Sequence, residues 1–190
     1  MKKYKILALF GKSGSGKDTI QKWIVSHIPH TKSIVSCTTR PARDYETNGI
    51  DYHFLSTEEF AKKVLNGDML EATSFNDWFY GTSINELTEG TIAIGVFNIQ
   101  GIDCLLQDPR LEILPVLVSV PKDKQRLVRI LNREENPNCA EICRRFLTDE
   151  ADFQKIDFDY LTYDNIHQDF SQILNNIDIK NFLTISGENC

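Results

Sequence analysis

Apolar residues are arranged along this chain in two alternating patterns. Short apolar runs predict β-strands, and the runs at 91–98 and 111–120 predict strands that are buried on both faces. They lie at residues 6–10, 32–39, 69–75, 91–98 and 111–120. Between the runs, apolar residues recur at helical spacing, first over residues 20–28 and last over residues 166–177. Strands that alternate with helices indicate an α/β fold, a parallel sheet flanked by helices.

A polar stretch between two of these runs indicates an insertion. Residues 56–59, Ser-Thr-Glu-Glu, form a capping-box pattern that predicts a helix start, and Gly67 marks the helix end. The strands that flank residues 40–83 are short and have polar faces. We therefore expect a small inserted lobe over this part of the chain.

A glycine-rich loop follows the first apolar run directly. Gly11, Gly16 and Lys17 have the spacing of a phosphate-binding loop, between a predicted strand and a predicted helix. Glycines let backbone N–H groups converge on phosphate oxygens at the helix start, while the lysine neutralises the outer phosphates. The alternative is a glycine-rich turn with an incidental lysine. The predicted nucleotide-binding residues are Gly11, Ser13, Gly14, Gly16, Lys17, Asp18 and Thr19.

Composition narrows the possible functions. The chain has 190 residues, of which 41% are apolar, and this suits one folded domain. The formal net charge of −6 argues against binding to nucleic acid or to an anionic membrane, because both need a basic surface. Five scattered cysteines fit a reducing compartment, and no apolar run reaches membrane-spanning length. We expect a cytoplasmic protein without nucleic-acid or membrane partners.

Two arginines and two tyrosines predict a second anion site. Arg40 and Arg43 lie three residues apart, and Tyr52 and Tyr80 supply phenol groups from the same predicted lobe. Guanidinium groups pair with phosphate oxygens and phenols add neutral donors, so this set can hold a phosphate dianion. The alternative is a set of ordinary surface ion pairs with Glu46 and Asp51.

A carboxylate in an apolar strand predicts recognition of a base. Glu71 can accept two N–H bonds from the Watson–Crick edge of guanine, while the Ser36 hydroxyl can donate to the guanine carbonyl. Adenine offers a ring acceptor in place of that ring donor, so the carboxylate would reject it.

Together these residues resemble the guanylate kinases, and the resemblance runs from Ile6 to about Phe170. Residues 36–54 resemble the family's hallmark segment. The resemblance implies a P-loop NTPase core at residues 1–34, 84–124 and 147–190, a nucleotide-monophosphate lobe at 35–83 and a lid at 125–146. It also implies that ATP, with Mg²⁺, donates its terminal phosphoryl group to GMP or dGMP. The implied GMP-binding residues are Ser36, Arg40, Arg43, Tyr52, Glu71, Tyr80 and Thr82.

Basic residues cluster in the predicted lid of this acidic chain. Residues 122–145 contain seven of them, and such clustering suits a segment that closes over phosphates and excludes water. Transfer between two anions needs positive charge around the migrating group. The predicted catalytic residues are Lys17, Arg40, Arg133 and Arg145. We expect Lys122, Lys124, Arg126 and Arg129 on a solvated helix face.

The chain departs from the family pattern at three places. Val96 and Asn98 stand where the family has two aspartates, and Asp18 stands where it has serine. Asp18 could replace the lost magnesium partner, since Mg²⁺ prefers hard oxygen ligands; a neutral change, with Thr19 and water serving the ion, is the alternative. Tyr163 takes a place where the family tends to have Asn, so its ring could stack on adenine.

Two other functions stay open from the sequence. Guanylate-kinase-like domains also serve as non-catalytic binding modules, in which the glycine loop is typically degraded. A kinase of a sugar phosphate such as ribose 1,5-bisphosphate could use the same scaffold, although Ser36 and Glu71 would then have no base to read. The sequence leaves the oligomeric state unknown.

Overall fold

Nine strands and six α-helices are formed by the residues that the computed structural model describes, which are 4–43, 46–75, 77–133, 136–166 and 169–184. The strands are β1 (Tyr4–Phe10), β2 (Thr31–Ser33), β3 (Cys37–Thr38), β4 (His53–Phe54), β5 (Met69–Phe75), β6 (Trp78–Ser83), β7 (Ile92–Val96), β8 (Leu111–Ser119) and β9 (Leu161–Asp164). The helices are α1 (Lys17–His27), α2 (Thr57–Leu65), α3 (Ile99–Leu106), α4 (Asp123–Leu131), α5 (Cys139–Asp152) and α6 (Ile177–Phe182).

The main sheet has five parallel strands in the order β2-β7-β1-β8-β9, which confirms the predicted α/β class. Strand β1 lies at its centre, and its residues from Ile6 to Phe10 are wholly buried. A central strand covered on both faces needs apolar side chains at every position, so the sequence shows a continuous run there.

Helices cover both faces of this sheet. Ile20 and Ile24 of α1 pack on one face with Leu7 and Leu9 of β1. On the other face, α3 packs its apolar residues against the alternate side chains of β1. The loop between β1 and α1 therefore starts from a rigid, fully packed strand.

A second sheet is built from residues 37–83, in the order β4-β3-β6-β5. Helix α2 covers it and begins with the predicted capping box: Ser56 Oγ accepts the Glu59 N–H at 3.2 Å, and the Glu59 carboxylate accepts the Ser56 N–H at 2.7 Å. Phe60 of α2 is buried and stacks on Phe79. This sheet lies within the predicted lobe, whose boundaries remain a prediction.

Two predicted elements are wrong in form. The predicted strand at residues 32–39 is divided between β2 in the main sheet and β3 in the second, because the chain crosses from one sheet to the other around Val35. The predicted closing helix at 166–177 is instead a 3₁₀ helix, Phe170–Asn175, followed by α6. The Asn176 side chain caps α6 by accepting two backbone N–H bonds, and this cap separates the two segments.

None of the helices in the described ranges is long and apolar enough to cross a membrane.

Loss of the capping box should weaken α2 measurably. We expect Ser56→Ala to lower the free energy of unfolding by about 1 kcal/mol, because the Glu59 N–H loses its acceptor and the reciprocal Ser56 N–H bond to the Glu59 carboxylate loses its partner in the capping box. Thr57→Ala, one residue inside the helix, is the matched control and should cost less than about 0.5 kcal/mol. Denaturant unfolding of both variants gives the comparison, and equal losses would contradict a capping role for Ser56.

Candidate active site

The glycine loop joins the carboxyl end of β1 to the start of α1. Gly14 and Gly16 have positive φ angles, 79° and 93°, and Gly16 is the N-cap of α1. A Cβ atom on Gly14 would lie 2.7 Å from the Arg126 carbonyl oxygen, and one on Gly16 would lie 2.6 Å from Asn165 Nδ2. Backbone conformation and crowding thus both require glycine at these two positions.

Lys17 lies inside the curve of this loop. Its Nζ donates to the carbonyl oxygen of Gly11 at 2.6 Å and to that of Lys12 at 3.3 Å. Burial lowers the pKa of the Lys17 ammonium, because the charged form loses hydration there. The loop carbonyls hold the ammonium where the backbone N–H groups of α1 begin.

A cavity of about 330 Å³ opens between this loop and helices α4 and α5. Among the predicted site residues it is lined by Ser13, Gly14, Gly16, Lys17, Asp18, Arg43, Arg133 and Arg145. The loop, one arginine of the second sheet's lobe and both predicted lid arginines therefore meet at one space. Gly11 contributes the carbonyl that holds Lys17, and Thr19 is exposed on α1.

Glu141 orients Arg145 in this cavity. Arg145 Nε donates to Glu141 Oε1 at 2.7 Å, and Arg144 Nε donates to Glu141 Oε2 at 2.8 Å. The hydrogen bonds from Arg144, together with those from Arg145, lower the pKa of Glu141 to about 2. The carboxylate stays ionised at neutral pH and pairs with Arg145.

The predicted acceptor-phosphate residues form a second cluster. The Arg40 guanidinium lies 5.5 Å from the centre of the Tyr52 ring, and the Tyr52 and Tyr80 rings lie 6.3 Å apart. Burial raises the pKa of Tyr52 to about 12, and the Asp18 carboxylate is the next largest cause.

Glu46 organises the arginines of this cluster. Its carboxylate accepts two bonds from Arg40 Nη2, at 2.7 and 2.9 Å, and the backbone N–H of Arg43 at 2.9 Å. Burial alone would raise the pKa of Glu46, but the hydrogen bonds from Arg40 and Arg43 lower it. The ion pair that the sequence offered as an alternative for Arg40 is thus formed, within the same cluster as the tyrosines.

Glu71 lies in β5 and is only 8% exposed. It pairs with Thr82 across β5 and β6, and the Thr82 hydroxyl donates to Glu71 Oε1 at 2.8 Å. Burial raises the pKa of Glu71 to about 7, although the Thr82 hydrogen bond acts in the opposite direction. The β3–β6 register, extended by one residue, places Ser36 opposite Thr82. The three residues predicted to contact a base therefore share one end of the second sheet.

Asn98 is the N-cap of α3. Its Oδ1 accepts the Gly101 N–H at 2.6 Å, and its Nδ2 donates to Thr73 Oγ1 at 3.0 Å. A Cβ atom on Gly101 would lie 3.3 Å from Glu71 Oε2, so the start of α3 closes the space behind that carboxylate. The amide therefore serves a structural cap at a position where the family pattern has a carboxylate.

Two expectations for this region are wrong. Arg126 is not on a solvated helix face: it is 1% exposed and enclosed by acidic groups of α4 and α5. Tyr163 is a core residue of β9, 7% exposed, whose hydroxyl donates to the Asp169 carbonyl oxygen. The alternation of β9 turns its side chain into the core, so it cannot stack on a bound adenine.

Asn165 is a residue that the sequence reading missed. It is 1% exposed, and its Nδ2 donates to the Ser15 carbonyl oxygen of the glycine loop at 2.7 Å. A polar residue just beyond the carboxyl end of a parallel strand was the available signal.

Asp18 is the predicted metal residue, and it is exposed at the cavity. Within the described ranges, no group of three or more His, Cys, Asp or Glu side chains could hold a metal ion. Mg²⁺ commonly binds through one or two carboxylates together with substrate phosphates and water. A lone carboxylate at the loop fits an ion that binds with a nucleotide.

A parallel sheet flanked by helices, with a glycine loop between the carboxyl end of its central strand and the start of a helix, defines a P-loop protein. A sequence model named guanylate kinase matches residues 3–180, and the chain belongs to the guanylate kinase family.

Similarity to individual proteins supports this family membership. The chain is 28% identical over 190 residues to the guanylate kinase of Campylobacter jejuni strain RM1221, covering 97% of this chain and 92% of the relative. It is 39% identical over 105 residues to that of Helicobacter hepaticus, and this alignment covers 53% of this chain and about half, 52%, of the relative. The crystal structure of guanylate kinase from Anaplasma phagocytophilum matches with a TM-score of 0.68 at 20% identity, covering 97% of this chain and 89% of that chain, and shows the same fold.

Burial of Glu71 should make stability depend on pH. Its pKa of about 7 lies above the ordinary 4.5, so its contribution is fully present below pH 4.5 and is lost as pH rises through 7. The Glu71→Gln variant carries no such charge. We expect its free energy of unfolding, relative to the unchanged protein, to rise by about 1–3 kcal/mol between pH 5 and pH 8. Glu112→Gln, at a side chain that is 47% exposed, is the control. Parallel pH curves for the Glu71 variant and the unchanged protein would contradict this prediction.

Proposed function

We propose that this protein is an ATP-dependent guanylate kinase, which transfers the terminal phosphoryl group of ATP to GMP or dGMP and forms GDP or dGDP. The observation that carries the proposal is the buried Glu71–Thr82 pair on the sheet whose strand β6 also supplies Tyr80 of the Arg40–Tyr52–Tyr80 cluster. One lobe then offers a base-reading group and a phosphate-holding group to a single nucleotide.

Glu71 supplies the choice of base. As a carboxylate it accepts the ring N–H and the exocyclic NH₂ of guanine, while Ser36 donates to the carbonyl oxygen and Thr82 orients the carboxylate. Adenine presents a ring acceptor where guanine has a donor, which leaves a buried carboxylate unpaired and costs affinity. Because both of these guanine groups are donors, guanine binding favours the ionised form of a carboxyl whose pKa burial raises to about 7.

Positive charge supplies the catalysis. Arg40, Arg43, Tyr52 and Tyr80 hold the acceptor phosphate, and the loop N–H groups with Lys17 hold the donor phosphates. The acceptor phosphate is already anionic at neutral pH, so the main tasks are in-line placement and charge stabilisation. Arg133 and Arg145, from the segment proposed as the lid at 125–146, face the same cavity. Mg²⁺, when bound with the nucleotide near Asp18, would neutralise phosphate charge.

The donor base has a separate cleft in this proposal. A cleft lined by Val128, Arg129, Ile166 and two polar residues lies beside Asn165, and Arg129 Nη2 donates to the Asn165 carbonyl oxygen at 3.0 Å. Asn165 in turn touches the glycine loop, so a nucleotide with its phosphates on the loop can place its base here. Apolar side chains and a guanidinium plane suit a flat aromatic ring.

Neither alternative gains support from this geometry. An intact loop around Lys17 argues against a non-catalytic binding module, and the buried Glu71 argues against a sugar-phosphate acceptor.

ADP release with different acceptors tests the proposed reaction. We expect turnover with GMP and dGMP, much slower turnover with AMP, and none with ribose 1,5-bisphosphate. Glu71→Gln should lower kcat/KM for GMP by about 10- to 100-fold, since hydrogen bonds to a charged group are lost, and should affect AMP far less. If none of the acceptors is turned over, the result would favour a binding module. An equal loss of kcat/KM with every acceptor in Glu71→Gln would contradict base recognition by Glu71.

The magnesium dependence of turnover tests Asp18. We expect Asp18→Ala and Asp18→Ser to need a several-fold higher magnesium concentration for half-maximal turnover, because the carboxylate is a hard oxygen ligand close to the phosphates. Asp103→Ala, at an exposed aspartate of α3 that does not line the cavity, is the control and should leave the magnesium dependence unchanged. Unchanged magnesium dependence in both Asp18 variants would show that the aspartate is a neutral replacement.

A further inference from the structure

Arg126 is the largest fully buried side chain in the described part of the protein. Its guanidinium lies 3.1 Å from Asp123, 3.7 Å from Asp149 and 3.1 Å from Glu150, and 4.5 Å from the Phe146 ring centre. A buried cation is costly unless carboxylates and hydrogen bonds compensate it. This set of contacts is therefore needed to keep Arg126 in place.

Two of these carboxylates also hold the glycine loop. Asp149 Oδ2 accepts the backbone N–H of Ser13 at 2.6 Å, and Glu150 Oε2 accepts from Lys12 Nζ at 2.6 Å. The carbonyl oxygen of Arg126 itself lies against Gly14. Three consecutive loop residues, 12–14, thus contact a cluster that we call the loop clamp, defined as Arg126, Asp149 and Glu150.

Helix α5 connects the loop clamp to the cavity. Arg145 and Asp149 are four residues apart on α5, so they lie on one face of the helix, one turn from each other. Arg145 lines the cavity, whereas Asp149 docks on the Ser13 N–H. The height and rotation of Arg145 relative to the loop are therefore fixed by the Asp149 contact.

The loop clamp acts from outside the phosphate space. Neither Asp149 nor Glu150 lines the cavity that Ser13, Lys17 and Arg145 share. The two carboxylates support the loop without lining this cavity, and Asp149 occupies the Ser13 N–H. A buried ion pair is often no more stabilising than an apolar replacement. We therefore assign these charges a role in orienting the loop and α5 and not in stabilising the fold.

We propose that Arg126 is a positioning residue for phosphoryl transfer. By holding Asp149 on the Ser13 N–H, it keeps Arg145 at the height at which its guanidinium faces the migrating phosphoryl group. This inference rests on the proposed kinase function. A small displacement of such a group lowers the rate of the chemical step while substrate binding is preserved.

Steady-state kinetics of Arg126→Met, Asp149→Ala and the double variant test the proposal. We expect each single variant to lower kcat about tenfold or more with little change in KM for GMP. The double variant should lose no more than the worse single one, because both act through the same contact. Arg126→Lys, which retains the charge, should recover part of kcat. Arg110→Met, at a surface arginine paired with Asp108, is the matched control and should retain full activity.

A second measurement distinguishes loss of the loop contact from loss of kinase activity. Asp149 and Glu150 side chains are 19% and 40% exposed, so water can hydrate them when Arg126 is replaced. The Ser13 amide proton, observed by NMR in the nucleotide-free protein, should move upfield in Arg126→Met and in Asp149→Ala, whether or not the protein has kinase activity.

If the unchanged protein is inactive but its variants show this shift, the result contradicts the proposed function and supports the loop clamp. An active protein whose variants keep full kcat, or whose losses multiply in the double variant, overturns the positioning role. A lower KM for ATP in Asp149→Ala also overturns it, since Asp149 would then compete with phosphate.

Discussion

Three arginines of this protein are held in place by carboxylates, and the candidate site depends on that pairing. Glu46 holds Arg40, Glu141 holds Arg145, and Asp149 with Glu150 holds Arg126. A flexible arginine would lose conformational entropy on meeting a phosphate, whereas a held arginine has already lost it. This explains how a chain with a net charge of −6 presents a cationic cavity. In the proposed function these acidic residues do not oppose phosphate binding, because they orient the arginines that bind phosphate.

The carboxylate of Glu71 has a different role from the carboxylates that hold arginines. Its carboxylate is buried with a threonine hydroxyl as its hydrogen-bond donor, and the pKa of about 7 shows that ionisation is costly there. Such a group gains most from a ligand that brings two N–H donors, which is what guanine offers. In the proposed function, base recognition and phosphate binding use carboxylates in two different ways: Glu71 accepts a threonine hydroxyl, whereas Glu46 and Glu141 each hold an arginine.

The sequence predicted the elements whose signal is local. The spacing of Gly11, Gly16 and Lys17 identified the loop, and residues 56–59 identified the start of α2, since both patterns depend on neighbouring residues alone. The expectation that Arg126 lies on a solvated helix face was wrong because its partners Asp149 and Glu150 lie in another helix. Tyr163 was misread for a related reason: the direction of a strand side chain depends on which sheet face is buried. The division of residues 32–39 between two sheets likewise depends on distant pairing.

A crystal structure of the protein with GMP bound would test the arrangement of two facing anion sites most directly. We expect the phosphate within hydrogen-bond distance of Arg40, Tyr52 and Tyr80, and the guanine edge on Glu71 with the Thr82 hydroxyl still on the same carboxylate. A phosphate bound outside this cluster, or a base that does not touch Glu71, would contradict a guanylate kinase site in this chain.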